Sequence, residues 1–390
     1  MSPDRCVRLV ALALPLLAGP APGADEPPRV DVSDTGAAIT PATWECTAGH
    51  PIAKRTISLQ SGAANYAFLI AGCQDPSHDG KHPCSEGNFG MPSPSSANWY
   101  WGGFLRVMVN GSDATVCDLR DVRVLERGPR GSFQVIWAHP DADVGLRLMM
   151  LGGENHVDAD VVWKPREGAT VQSISLQLTC YPSFFTAARH RQGERHCRTP
   201  RIDQKEPSTV EVQPGEDTFL YYYDAVFDVA KGEGDGPCAV VLDPAGIAGG
   251  SVSIGNYAVQ TTLNLKPEAG QARLALYDFT GKTNADAEAY LRDHGAADQV
   301  ALSKADFRPE PVRGLQPNQL RTDALNLLAL AADDGQALEP RVMELLTKVD
   351  ALKAAADQGD WIAEADLSTA LLDSVDLFWK LQTFAALNAE

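Results

Sequence analysis

Val144-Gly-Leu-Arg-Leu-Met-Met-Leu151 and His156-Val-Asp-Ala-Asp-Val-Val-Trp163 decide how this chain folds. In the first stretch Val144, Leu146, Leu148 and Met150 share one side. In the second Val157, Ala159, Val161 and Trp163 do, with His156, Asp158 and Asp160 opposite. A pleated strand turns alternate side chains to opposite faces, whereas a helix would scatter these positions. Ile174, Leu176, Leu178 and Cys180 repeat the alternation, and another run begins at Ser132. The turns at 139–143, 152–155 and 165–168 carry Gly, Pro, Asp and Asn at hairpin length. Residues 132–180 are therefore expected to pair as a four-stranded antiparallel meander.

Outward from the meander, strand candidates precede it at 56–60, 64–71, 104–109 and 121–126, and follow it at 208–212, 218–223, 238–242, 251–254, 257–265 and 272–279. That exceeds an immunoglobulin-sized sandwich, so a mainly β domain is expected over 25–282, a large two-sheet antiparallel supersandwich. At Asn284 the pattern changes. Residues 284–295 read as a short capped helix ending on Gly295, with a connector to 316. Beyond it Leu320, Ala324, Leu327 and Ala331 recur at helical spacing, as do Leu338, Val342, Leu345, Val349 and Leu352, and then Leu367, Leu371, Val375 and Phe378. Gly335 and Gly359 separate these stripes, so 317–390 is expected to form a helical hairpin or three-helix unit.

The chain of 390 residues carries a formal charge of -18, which excludes a general nucleic-acid binder because neutralising phosphates needs a basic surface. Residues 283–390 hold 19 Asp and Glu against 9 Lys and Arg, so the tail could meet a protein partner through acidic helices. Arg5 and Arg8 before an apolar run at 9–17, then Ala21-Pro-Gly-Ala24, read as an export signal over 1–24. No later segment is long and apolar enough to span a membrane, and a secreted or periplasmic location is expected. Seven of the eight cysteines follow that signal. Cys73 with Cys84 and Cys180 with Cys197 each bracket a polar loop and are expected as disulfides, buried unpaired thiols being the alternative.

Four groups of residues are candidates for chemistry. His156, Asp158 and Asp160 share a strand face at steps of about 6.5–7 Å, a spacing that suits acid and base carboxylates and equally a solvated face. His78, Asp79 and His82 have a spacing that would serve a metal, although no metal and no cofactor is expected. Arg189, Arg191 and Arg195 lie in a basic loop suited to an anionic sugar, since guanidinium groups bind carboxylate and sulfate bidentately. Trp99 and Tyr100, at the edge of a long loop, are the aromatic candidates for packing against a saccharide.

The strand rhythm, the acidic turn residues and Leu176-Gln-Leu-Thr-Cys-Tyr-Pro-Ser-Phe-Phe185 resemble the β-supersandwich of the galactose mutarotase-like superfamily, over residues 40–280. The resemblance implies a sandwich of sugar-related ancestry. In epimerase members a His-Pro-Tyr-Phe-like segment carries the catalytic histidine. Tyr181-Pro-Ser-Phe184 stands at that place without one, so no catalytic residue is carried over. The expectation is a non-catalytic carbohydrate-related binding or structural module with an anionic or neutral saccharide as partner. The alternatives are a carbohydrate-active hydrolase, lyase or epimerase, and an envelope scaffold.

Overall fold

The structure, a computed structural model, describes residues 27–41, 49–75, 89–91, 99, 103–182, 193–231 and 236–388. The expected export segment, His78, Asp79, His82, Cys84, Tyr100, Arg189 and Arg191 lie outside the described residues. The chain divides into two compact units between Phe307 and Arg308.

In the unit Pro28–Phe307, Arg130–Ala138, Ala142–Leu151 and His156–Pro165 pair antiparallel in succession, with Val144 opposite both Trp137 and Trp163. The fourth expected meander strand, Ile174–Cys180, instead lies in a second sheet between Leu105–Val109 and Val259–Leu265. A period of two tells which faces a strand shows and leaves its neighbour unspecified. The first sheet has nine strands, in the order Asp203–Lys205, Arg195–Arg198, Phe219–Asp224, Cys238–Leu242, Gln271–Asp278, His156–Pro165, Ala142–Leu151, Arg130–Ala138 and Asp118–Glu126. The second has six: Ser208–Val212, Ile247–Ile254, Val259–Leu265, Ile174–Cys180, Leu105–Val109 and Ser112–Asp113. A five-stranded sheet of N-terminal segments, centred on Pro51–Gln60 and Asn65–Cys73, completes the sandwich.

All three sheets feed one core. Phe133, Val135 and Trp137 come from the first sheet, Val107, Leu176 and Leu263 from the second, and Phe68, Ile70 and Phe89 from the third. The nine-stranded sheet also buries part of its other face. Met149, Tyr221, Ala239, Val241, Ala275 and Tyr277 pack against Ala287, Leu291 and Leu302 of helix α1 (Asn284–Lys304) and against Phe307. The Thr283 hydroxyl caps α1 by accepting from the Asp286 N–H at 3.1 Å. At its far end Arg273 donates to the Ser303 carbonyl at 3.0 Å, where the helix dipole favours a cation. Gly295, expected to end this helix, lies inside it, because the apolar stripe continues to Leu302 and the sheet rewards each further turn.

Helix α1 is thus part of the sandwich unit. A chain cut after Phe307 is expected to keep a cooperative urea transition and near-ultraviolet circular dichroism. One cut after Lys282 bares Met149, Ala275 and Tyr277 and is expected to lose both. Equal cooperativity of the two would show that α1 is dispensable.

The helical unit follows the expected stripes with two further breaks. Short α2 (Glu310–Arg313) leads into α3 (Pro317–Gln336), α4 (Glu339–Ala356), α5 (Trp361–Asp373) and α6 (Val375–Leu387). Helix α3 is kinked at Ala332, whose φ of 50° and ψ of -133° are not helical. The third stripe is divided at Ser374, whose hydroxyl donates to the Leu371 carbonyl at 2.7 Å. Ala324, Val342, Leu346, Leu367, Leu377 and Leu381 meet in its core. Leu315, Leu320, Leu371 and Phe378 line a cavity of about 550 Å³ with Glu310 and Asp323 in its wall and Trp379, 56% exposed, at its margin.

Candidate functional site

His156 starts its strand directly after the Glu154-Asn155 turn, and the sheet register sets it opposite Tyr277. The two rings stack, 4.8 Å between centroids and 29° between planes. Two residues on, Asp158 faces the same way opposite Ala275, whose small side chain leaves it room. On α1, Tyr290, His294 and Asp298 follow one another at steps of four, which puts them on a single stripe. That stripe meets the strands. Tyr277 donates its hydroxyl to Asp298 at 2.7 Å, and the Tyr290 ring lies 6.0 Å from Tyr277 and 4.5 Å from His294. His156 stands 3.7 Å from Asp158 through Nε2 and 3.9 Å from Glu154 through Nδ1.

The result is a half-buried set of rings and carboxyls. His156 and Asp158 side chains are 14% and 13% exposed, whereas Glu154 is 46% exposed. Burial pushes the Asp158 carboxyl up to about 6, with Asp298 and Glu154 adding to the rise and His156 opposing it. Burial also raises the Tyr277 hydroxyl, helped by Asp298, and pushes Tyr290 up to about 12. A protonated carboxyl beside an imidazole can donate or accept a hydrogen bond near neutral pH. The expected solvated face is therefore corrected, since α1 lies over it. Asp160 separates from the other two, being 3% exposed in the sheet with Arg273 Nε at 3.5 Å.

Two other expected ligand residues are corrected. Trp99 is 1% exposed, bridged to Cys180 through its backbone, and its ring packs edge-on to Phe104 and Tyr222. A ring of that size gains more by filling the core than by lying at the rim. Arg195 is 2% exposed because the segment expected as a loop is a strand, Arg195–Arg198, which turns Arg195 and Cys197 inward. Its Nη1 donates to the Asn256 carbonyl at 2.5 Å and lies 3.8 Å from Glu206.

The outward members of that strand are neutralised in place. Arg198 donates to Asp203 Oδ2 at 2.6 and 3.1 Å and also pairs with Glu288. His196 contacts Asp203 at 3.0 Å and stacks on Tyr223. Burial opposes ionisation of Asp203, but the bonds from Arg198, Tyr223 and His196 outweigh it and lower its pKa. No anion-binding surface survives among these described arginines.

Cys180 and Cys197, expected to be bridged, are buried thiols, as is Cys238. Cys73 is likewise free and half-buried. Among the described residues no cluster of metal-ligating side chains occurs. Tyr257, 57% exposed at the tip of a six-stranded-sheet hairpin and packed edge-on to Tyr181 at 5.0 Å, is a surface aromatic that nothing local in the sequence distinguishes from a strand residue.

Neither a family model nor a curated protein sequence matches the chain. Solved structures with some likeness are alpha-galactosidases, those from Geobacillus stearothermophilus being GH36 enzymes. One from Geobacillus stearothermophilus, AgaB, is 12% identical with a TM-score of 0.33, covering 62% of this chain and 41% of that one. AgaA from the same organism is 9% identical with a TM-score of 0.33, covering 57% and 40%. The enzyme from Lactobacillus brevis is 10% identical with a TM-score of 0.31, covering 63% and 39%. The chain spans about two fifths of the length of these proteins. Likeness at this level assigns no family.

Proposed function

We propose that this protein is a non-catalytic carbohydrate-recognition module whose site is the ring and carboxyl cluster between the His156–Pro165 strand and α1. The observation that carries the reading is the convergence of His156, Tyr290 and His294 rings with Glu154, Asp158 and Asp298 at one half-open edge. Sugars lay C–H faces on rings and give hydroxyls to carboxylates, so both halves of that chemistry are present. The mutarotase-like strand rhythm supports the same reading. With acids in the site and Arg195 and Arg198 engaged elsewhere, the ligand is a neutral or amino-bearing saccharide and not a uronic or sulfated one.

A glycan array followed by calorimetry on the full chain tests this. His294→Ala and Tyr290→Ala should each weaken binding about tenfold, the worth of one ring contact, while Tyr257→Ala leaves it unchanged. Binding that is selective for sulfated glycans, or lost only with Tyr257, would place recognition elsewhere. A second reading, an acid–base enzyme on the same residues, is favoured by the raised Asp158 carboxyl beside His156.

A further inference from the structure

The strand register brings Cys197, Tyr222 and Cys238 side by side across three neighbouring strands of the nine-stranded sheet, Cys197 opposite Tyr222 and Tyr222 opposite Cys238. Directly paired residues project to the same face, and all three are fully buried in the sandwich core. Cys180 approaches from the other sheet. Tyr222 reaches that sheet through a 2.7 Å hydrogen bond to Thr261, which pairs with Leu178, two residues before Cys180 and on the same face. Trp99, bridged to Cys180, lays its ring edge-on to Tyr222 at 6.3 Å. The Cys180 thiol therefore enters the layer that holds Cys197 and Cys238.

We propose that Cys180 and Cys238 form a disulfide that staples the two sheets together when the chain folds in an oxidising compartment. Cys238 is the partner chosen over Cys197 because Cys180 raises the Cys238 thiol as a side-chain hydrogen-bond partner as well as through charge, whereas it raises Cys197 through charge alone. An inter-sheet bridge is a known way to fasten a sandwich, as in antibody domains. The oxidant is a small disulfide such as oxidised glutathione. One protein thiolate attacks it, forming a mixed disulfide and releasing one glutathione thiol. The second protein thiolate attacks the protein sulfur of that mixed disulfide and releases the other. Two protein thiols are oxidised, one small disulfide is reduced to two thiols, and the two protons end on the released thiols. Burial raises the Cys238 and Cys197 thiols, so thiolate is scarce once the sandwich has closed. The bond accordingly forms during folding.

The test is to refold the reduced full chain in a glutathione redox buffer, alkylate free thiols and map peptides without reduction by mass spectrometry. The expected product is the Cys180–Cys238 linked peptide, kept in Cys197→Ser and lost in Cys238→Ser, with a higher urea midpoint for the oxidised than for the reduced protein. Alkylation of both Cys180 and Cys238 in the refolded wild-type protein, or a Cys180–Cys197 link, would overturn the proposal. The wild-type map decides the pairing even if a serine variant does not fold.

Discussion

Phe68→Ala is expected to destabilise the Pro28–Phe307 unit by about 3–5 kcal/mol, read as a fall in the urea midpoint at unchanged slope. Phe68 is fully buried, and its ring lies 5.3 Å from Phe133, 5.9 Å from Phe89 and 6.3 Å from Phe104. Phe89 and Phe104 are themselves 5.5 Å apart, and Phe89 meets Trp137 edge-on at 5.8 Å. Removing one ring from such a cluster forfeits its transfer free energy and leaves a void that large, stiff neighbours fill poorly. Phe68 sits on Asn65–Cys73 and Phe133 on Arg130–Ala138, so the loss also loosens the five-stranded sheet from the nine-stranded one. A cost under about 1 kcal/mol would mean that the N-terminal strands contribute little to the common core.

Asp158→Asn is expected to act in the opposite direction, raising stability at pH 8 by up to about 3 kcal/mol and flattening its pH dependence. The Asp158 carboxyl moves from 3.8 to about 6 in the folded protein. The native state then holds its proton more tightly than the unfolded chain, so stability is greatest below 3.8, declines as pH rises through about 6, and stays reduced above it. Asparagine has no charge to desolvate and removes that decline. Part of the gain is offset by lost attraction to His156, which matters mainly where the imidazole is protonated. Urea transitions at pH 4.5 and pH 8 check the sign, and a variant less stable at pH 8 would show that the ionised carboxylate is held by favourable bonds. Turnover of neutral aryl glycosides that vanishes in the same variant would replace the recognition reading with the enzymatic one.

A residue that lowers stability at neutral pH is retained more readily at a working site than at a purely structural position. This is consistent with Asp158 belonging to the site rather than to the packing. Asp160 on the same strand face serves the packing: it lies beside Arg273, which also closes the C-terminal end of α1.

The alternation at Val144–Met150 and Val157–Trp163 sufficed to establish antiparallel strands, since a pleat admits only one period. The same rule put His156 and Asp158 on one face, so half of the candidate site was legible. Tyr290, His294 and Asp298 lie at steps of four, but Gly295 reads as a helix end in their midst and hides the stripe. Nothing local could join them to His156, which meets Tyr277 only because two strands far apart in sequence pair in one register. Trp99 and Arg195 were misplaced for a related reason. Composition marks a loop by what it contains, whereas burial depends on which neighbours arrive, and here Tyr222 and Asn256 did.

What this sequence determined alone is the kind of element at each position and the faces those elements show, because backbone sterics and the alternation of apolar residues act over a few residues. What only the tertiary structure decided is partnership: which sheet receives Ile174–Cys180, which strands set Cys197 and Cys238 on either side of Tyr222, and which side of the nine-stranded sheet lies under α1. Those choices depend on burying one face against another across long loops, and that free energy exists only once the distant segments have met.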